Sequence, residues 1–275
     1  MNQNKSKAAK VFQIALFALS LGLLAYFCIY ENNFVTLCHS LPTLNPYWLI
    51  GSIGCVLTSW FMDSLVTKEL VSAAYNMRYK FSSAFKVTMV GQYFNSVTPF
   101  AVAGQPMQLL ALTRQGVTSG IALSVLARKF LVYQTSITLY SLMVIIIKYS
   151  FFRSKIQGFM ALAFIGFLCQ SAIVVLLLLF VKSPKFTTKL INGVIWILTK
   201  VRIVKNPKEV SEKVHSQLKF YIKNNRALQG NKLTMVKIYI YTVIQLTALF
   251  AVPFFIYKAF KNPGAPIIDM IAAQS

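Results

Sequence analysis

Residues 90–116 read VGQYFNSVTPFAVAGQPMQLLALTRQG. The stretch is apolar enough to enter a bilayer, yet Pro99 and the run Ala103-Gly104-Gln105-Pro106 break it in the middle. Polar side chains (Gln92, Asn95, Ser96, Thr98, Gln105, Gln108) gather around the breaks. Irregular backbone at membrane depth is tolerated only where protein buries it or water reaches it. Broken helices of this kind build the substrate sites of many transporters. Neither arm is long enough to cross alone. Residues 82–97 would span about 24 Å as a helix and residues 106–114 about 14 Å. The arms therefore read as a re-entrant hairpin over about 82–115.

The rest of the chain supports a membrane setting. Its 275 residues are 56% hydrophobic and only 12% charged, more apolar surface than a soluble domain of this size needs. Apolar runs at 11–30, 47–66, 117–148, 156–181 and 236–260 have the length of membrane spans, with Pro253 as a kink in the last. The expected fold is all-α, a polytopic membrane helix bundle forming a single transmembrane domain over 1–275. Lys5, Lys7 and Lys10 precede the first run as they would in a signal peptide, but the run is long enough to span and no small-x-small cleavage site follows. It reads as a retained helix.

The balance of 28 basic to 6 acidic residues gives a formal charge of +22. In a soluble protein that would suggest nucleic acid; in a membrane protein it matches basic cytoplasmic loops on anionic lipid, and no nucleic-acid partner is expected. Thirteen basic residues fall between Lys182 and Lys237, which reads as a basic, amphipathic cytoplasmic loop over about 182–237. Within it, 186–204 suits an interfacial helix, and 206–225 a polar helix with Glu209 and Glu212 near its start. With the N-terminus inside, the outer segments hold only Lys148, Arg153, Lys155, Lys258 and Lys261. That count requires the hairpin to enter and leave on the cytoplasmic side. The expected location is the cell membrane, multi-pass, with a cytoplasmic N-terminus.

Few residues offer chemistry. Cys28, Cys38, Cys55 and Cys169 form no C-x-x-C pair and read as packing residues, and His39 and His215 lie far apart. No metal, cofactor or catalytic group is expected, and no nucleotide-binding loop or hydrolase motif is present. The hairpin itself carries the candidate site. Pro106 suits the first position of a helix, which would leave the N–H groups of Met107 and Gln108 free to meet an anion such as a lipid phosphate. Arg128 and Lys129 lie about ten residues into the following span, where charge is costly and faces a partner or a cavity. Adjacent helical residues point about 100° apart, so the two cannot share one partner easily. Asp63 is expected to pair with Arg128, or with Lys129 beside it, as an intramembrane ion pair. The expected headgroup-binding set is Gln92, Asn95, Thr98, Gly104, Gln105, Pro106, Gln108, Arg128 and Lys129.

Three motifs carry a resemblance. Asn95-Ser96-Val97-Thr98-Pro99, Ala103-Gly104-Gln105-Pro106-Met107-Gln108 and Arg114-Gln115-Gly116-Val117 resemble the core of the lysylphosphatidylglycerol synthase transmembrane-domain family, the membrane region of multiple peptide resistance factors. The order of spans, the charged pair and the basic loop fit as well. The resemblance implies a bacterial inner-membrane protein with re-entrant elements that moves anionic or lysylated phosphatidylglycerol outward, as a flippase does. It also implies a link to antibiotic resistance, because lysylation lowers negative surface charge. Full-length members add a soluble domain that transfers lysine from aminoacyl-tRNA, so a phosphatidylglycerol lysyltransferase or its membrane subunit is the alternative reading. A separate soluble transferase or a second copy of the chain would then be partners. A non-transporting envelope scaffold is a further alternative. Members of the family often carry two glycines where this chain has Ala103-Gly104; a positive φ at the first would strain Ala103. The family continues into a Pro- and Gly-rich re-entrant element, and the stop at Ser275 reads as a truncation.

Overall fold

The computed structural model describes residues 44–75, 78–98, 101–147, 159–183, 186–189 and 232–260, with isolated positions elsewhere. The expected first helix at 11–30, the outer loop with Cys28, Cys38 and His39, the break at Pro99, most of the interfacial helix at 186–204, the polar helix at 206–225 with His215, and the tail at 263–275 lie outside those residues.

The described residues are helical, with no strand among them. The principal helices are α1 (Pro46–Tyr75), α2 (Phe81–Val97), α3 (Gly104–Arg114), α4 (Ser119–Ile147), α5 (Phe159–Lys182) and α6 (Lys232–Ala259). Helices α1, α4 and α6, of 30, 29 and 28 residues, are long and apolar enough to cross a membrane. At 1.5 Å per residue each exceeds the roughly 30 Å hydrocarbon core. In α5 the apolar stretch is Ile165–Phe180.

Many large apolar residues along the spans are exposed, and several polar residues are buried. Ile50, Ile53, Leu57, Leu139, Met143, Ile146, Val236 and Ile240 are exposed, whereas Ser59, Asp63, Ser64, Thr67, Thr88, Gln108, Arg128 and Gln245 are buried. Lipid tails solvate the first group, and the second needs protein partners. The all-α membrane bundle expected from the sequence is therefore what forms.

Helices α1 and α6 run antiparallel over their whole length. The Asn45 N–H donates to the Ala259 carbonyl at 3.0 Å. Phe255 lies directly on the backbone of Gly51, where a Cβ would collide with its ring. Trp48 packs on Phe254 and Phe255, with ring centroids 6.1 and 5.8 Å away. Pro253 sits inside α6 without ending it, near the helix C-terminus.

The hairpin is formed by α2 and α3. Of 17 and 11 residues, they reach about 25 and 16 Å, too short to cross. Their outer ends meet: Gln115 Nε2 donates to the Ser83 carbonyl at 3.3 Å, and the Tyr79 hydroxyl donates to Gln115 Oε1. Burial raises the Tyr79 phenol above its ordinary value, so it remains a donor at neutral pH. At the same end the Tyr79 N–H reaches Ser72 Oγ at 3.0 Å, and the Thr118 N–H donates to the Tyr75 hydroxyl at 3.0 Å. The exit of α1, both ends of the hairpin and the entry of α4 thus share one end of the bundle. Arg78, Lys80 and Arg114 stand there, as does Lys232 at the start of α6. The apolar core lies on that side too: Leu70, Val71, Val87, Leu112, Val125 and Ile238 close around one another.

Two expected boundaries move. The second span was expected at 47–66, but α1 continues to Tyr75, because Leu70 and Val71 are core residues and nothing breaks the helix at Lys68-Glu69. Asp63 is therefore well inside the helix rather than near its end. Helix α3 begins at Gly104, so Pro106 is its third residue rather than its first. Ala103 is right-handed at φ −85°, and positive φ falls instead on Ala101, at 53°.

Inside the hairpin, two glycines each face a carboxamide. A Cβ on Gly91 would overlap Gln108, and one on Gly104 would overlap Asn95, whose Oδ1 accepts from the Gly104 N–H at 2.9 Å. Gly104→Val is expected to destabilise the protein by about 1–3 kcal/mol through overpacking. The loss should shrink in an Asn95→Ala background, because the colliding amide is gone. Thermal unfolding in detergent of the wild type, both single variants and the double variant checks this; equal losses in both backgrounds would place the collision elsewhere.

Candidate functional site

Helix α1 places Asp63 at the centre of the bundle, 6% exposed. A lone carboxylate at that depth is expensive, so its partners decide the local structure. Three other helices supply them. Lys129 of α4 donates from Nζ to Asp63 Oδ2 at 2.7 Å, and Thr88 of the hairpin donates from Oγ1 to the same oxygen at 3.0 Å. Gln245 of α6 donates from Nε2 to Oδ1 at 3.4 Å. Lys129 Nζ also donates to Thr67 Oγ1 at 3.0 Å, and Thr67 in turn donates to the Asp63 carbonyl at 3.1 Å. An ammonium has three protons. Two are committed to Asp63 and Thr67, and Lys129 also lines the adjoining cavity.

Of the two cations considered for the ion pair, the structure selects Lys129 and not Arg128. The reason is the 100° step between adjacent helical positions. Lys129 faces α1, while Arg128, 6% exposed, faces Tyr221 and Tyr239.

Beside the pair lies a cavity of about 380 Å³. Helix α1 contributes Ser59, Trp60, Asp63 and Val66; the hairpin contributes Gln92, Asn95, Ala101, Gly104, Gln105 and Gln108. Helix α4 adds Lys129, Phe130 and Tyr133, and α6 adds Thr242, Gln245 and Leu249. Six of the nine expected headgroup residues are thereby brought together: Gln92, Asn95, Gly104, Gln105, Gln108 and Lys129. The other three are not on the wall. Thr98 donates to the Phe94 carbonyl at 2.6 Å and accepts from the Ala103 N–H at 3.4 Å, which shapes the turn. Pro106 is an internal residue of α3, and Arg128 is on the far side of α4.

The expected anion site at the start of α3 is not built as foreseen. Because the helix starts at Gly104, the Met107 N–H donates to the Ala103 carbonyl at 3.1 Å. Gly104 gives its N–H to Asn95, and Pro106 has none to give. The first turn keeps few donors for a ligand.

The sequence reading missed the walls supplied by α1 and α6. A signal was present. Ser59, Asp63 and Thr67 recur every four residues, and Thr242 and Gln245 are three apart, so each set lines one helix face. Polar residues on one stripe of a span mark a bundle interior.

The profile of the family described as Lysylphosphatidylglycerol synthase TM region matches residues 12–273. The chain belongs to that family. The match takes in the hairpin, the Asp63–Lys129 pair and every residue of the cavity wall. No curated protein and no solved structure matches the chain. Membership, with three helices able to cross a bilayer, makes this a membrane protein related to lysylphosphatidylglycerol synthesis or flipping and to membrane lipid. Among the described residues no group of His, Cys, Asp and Glu is arranged to hold a metal ion.

Removing either member of a buried ion pair leaves an unpaired charge, a loss of about 3–5 kcal/mol. Asp63→Asn and Lys129→Met are each expected to lower the thermal midpoint in detergent. Combining them should recover part of the loss, whereas Asp63→Asn with Arg128→Met should recover none. Additive losses for the first combination would remove the pair from the account.

Proposed function

We propose that the protein is a lipid translocase of flippase type. It takes the polar headgroup of a phosphatidylglycerol-type phospholipid, anionic or lysylated, into the cavity at the hairpin tip and carries it across the membrane. The observation that supports this is the placement of the cavity. A cavity of about 380 Å³, lined in part by polar side chains, lies against Asp63, near the middle of a span, inside a bundle whose outer face is apolar. A headgroup crossing the hydrocarbon core needs such a polar station, and the acyl chains can remain in lipid.

The name of the family also suggests lysyl transfer. The cavity favours passage over transfer, since its one carboxylate is already bound by Lys129, Thr88 and Gln245. A carboxylate so engaged is a poor general base. Transfer of lysine would fall to a site outside this cavity.

The basic end of the bundle is assigned to the cytoplasm. Arg78, Lys80, Arg114 and Lys232 cluster there, and the positive-inside rule favours that side. The hairpin then enters and leaves from the cytoplasm, and the N-terminus lies on the same side. Single cysteines placed at Lys80 and Gln115 are expected to react with an impermeant maleimide only after the inner face is opened. Labelling of the two from opposite faces would reverse the topology.

In proteoliposomes, a fluorescent phosphatidylglycerol is expected to reach the far leaflet faster than in protein-free vesicles. Gln92→Leu and Gln105→Leu should slow that movement about five-fold or more, the equivalent of one hydrogen bond each, with folded yield unchanged. A rate that simply followed folded yield across the variants would sink the translocase reading.

A further inference from the structure

Asp63 and Lys129 are the charged residues of the cavity wall among those described, and they neutralise each other at 2.7 Å. A ligand entering the cavity meets no net charge. A charged ligand group meets no unpaired counter-charge on this wall, and burying a charge without one is costly. What the wall presents in quantity is carboxamide. Gln92, Gln105 and Gln108 reach the cavity from both arms of the hairpin. None of the three side chains hydrogen-bonds to another described residue, although Gln108 is only 9% exposed. Their amides open on the cavity, where a ligand can supply the partners they lack among the described residues.

Each carboxamide offers two N–H donors and a carbonyl acceptor. A hydroxyl answers both at once without charge. Amides set side by side match hydroxyls on neighbouring carbons. The opposite requirement is met by Trp60, Phe130 and Tyr133, which put aromatic surface into the same cavity. Trp and Tyr combine an apolar ring with a polar tip, which suits the C–H faces and hydroxyl edges of a sugar or a polyol.

The geometry points to a headgroup rich in adjacent hydroxyls, carrying no charge on the atoms that enter the cavity. This rests on the reading of the cavity as a lipid-headgroup site and narrows its ligand, setting the lysylated form aside. A glycosyl headgroup and the terminal glycerol of phosphatidylglycerol share that chemistry. In the second case the phosphate stays outside the amide wall.

Three probes with the same dioctanoyl tails separate the sources: a glucosyl diacylglycerol, phosphatidylglycerol and phosphatidylcholine. Each is titrated into the full chain in detergent, with thermal midpoint and Kd as readouts. The hydroxylated lipids are expected to raise the midpoint, and the choline lipid is not. Gln105→Leu should weaken their binding about five-fold or more. Gln105 is exposed at the wall, so the leucine variant is not a folding risk. Binding of the glucosyl lipid identifies a glycosyl source, and binding of phosphatidylglycerol alone, still sensitive to Gln105→Leu, identifies a glycerol source. Equal binding of all three overturns the inference. So does failure of all three to bind, or phosphatidylglycerol binding that Lys129→Met abolishes and Gln105→Leu leaves intact. Should the hydroxylated lipids bind selectively while none crosses a vesicle membrane, the translocase reading falls and the ligand class stands.

Discussion

One carboxylate organises the middle of this molecule. Asp63 belongs to α1 and is held by Lys129 from α4, Thr88 from the hairpin and Gln245 from α6. In water such bonds would be worth little each, because water competes for every group. In a bilayer the alternative to a protein partner is a bare polar group in hydrocarbon, so the bonds also decide which helices can be neighbours. Apolar packing between helices does not discriminate strongly in lipid, since acyl chains are as apolar as leucine. The polar cluster supplies the discrimination that the apolar contacts lack. Three elements donate to two oxygens carried by a fourth, and their relative register is fixed where they meet.

The hairpin depends on the same economy of polar contacts. Its turn has no regular partners for backbone N–H groups, so side chains serve. Asn95 takes the Gly104 N–H, and Thr98 takes that of Ala103. Glycine is required at Gly104 and Gly91 because an amide occupies the space of the missing Cβ, and both residues keep ordinary backbone angles there. The strain sits at Ala101, in the left-handed region at φ 53°, where an L-residue is disfavoured by about 1–2 kcal/mol. A turn held in this way ends inside the bundle rather than beyond it. The space past its tip is what becomes the cavity.

Much of this could be read in the sequence, for physical reasons that differ from element to element. The hairpin was legible because two short arms separated by Pro and Gly cannot be one span, and the basic residues demanded that both ends share a side. Its amides were legible as well, since carboxamides in an apolar stretch need a destination. The partner of Asp63 was not legible, because choosing between Arg128 and Lys129 needs the rotation of α4 about its own axis. Sequence spacing gives relative angles along a helix, never the absolute one. The start of α3 was misplaced for a related reason. Pro106 tolerates the first helical position but does not require it, and the contact between Asn95 and Gly104 that begins the helix earlier joins residues nine apart. The contributions of Thr242 and Gln245 went unread because a span is recognised by its apolar majority. Its function is carried by the few polar residues on one stripe.

The arrangement of polarity along the bundle has a consequence for motion. At the basic end an apolar core of Leu70, Val87, Leu112, Val125 and Ile238 closes the helices on one another. At mid-depth the contacts give way to hydrogen bonds around Asp63 and to open space. A packed apolar core resists displacement, because its interlocked side chains are bistable rather than compliant. Hydrogen bonds beside a cavity can exchange, since a headgroup that enters it can take the place of a protein partner. The hairpin is therefore anchored at its ends and replaceable in its contacts at its tip. A ligand that supplies its own hydroxyls gives the tip amides the partners they lack among the described residues. The anchored ends keep the bundle folded while that exchange takes place.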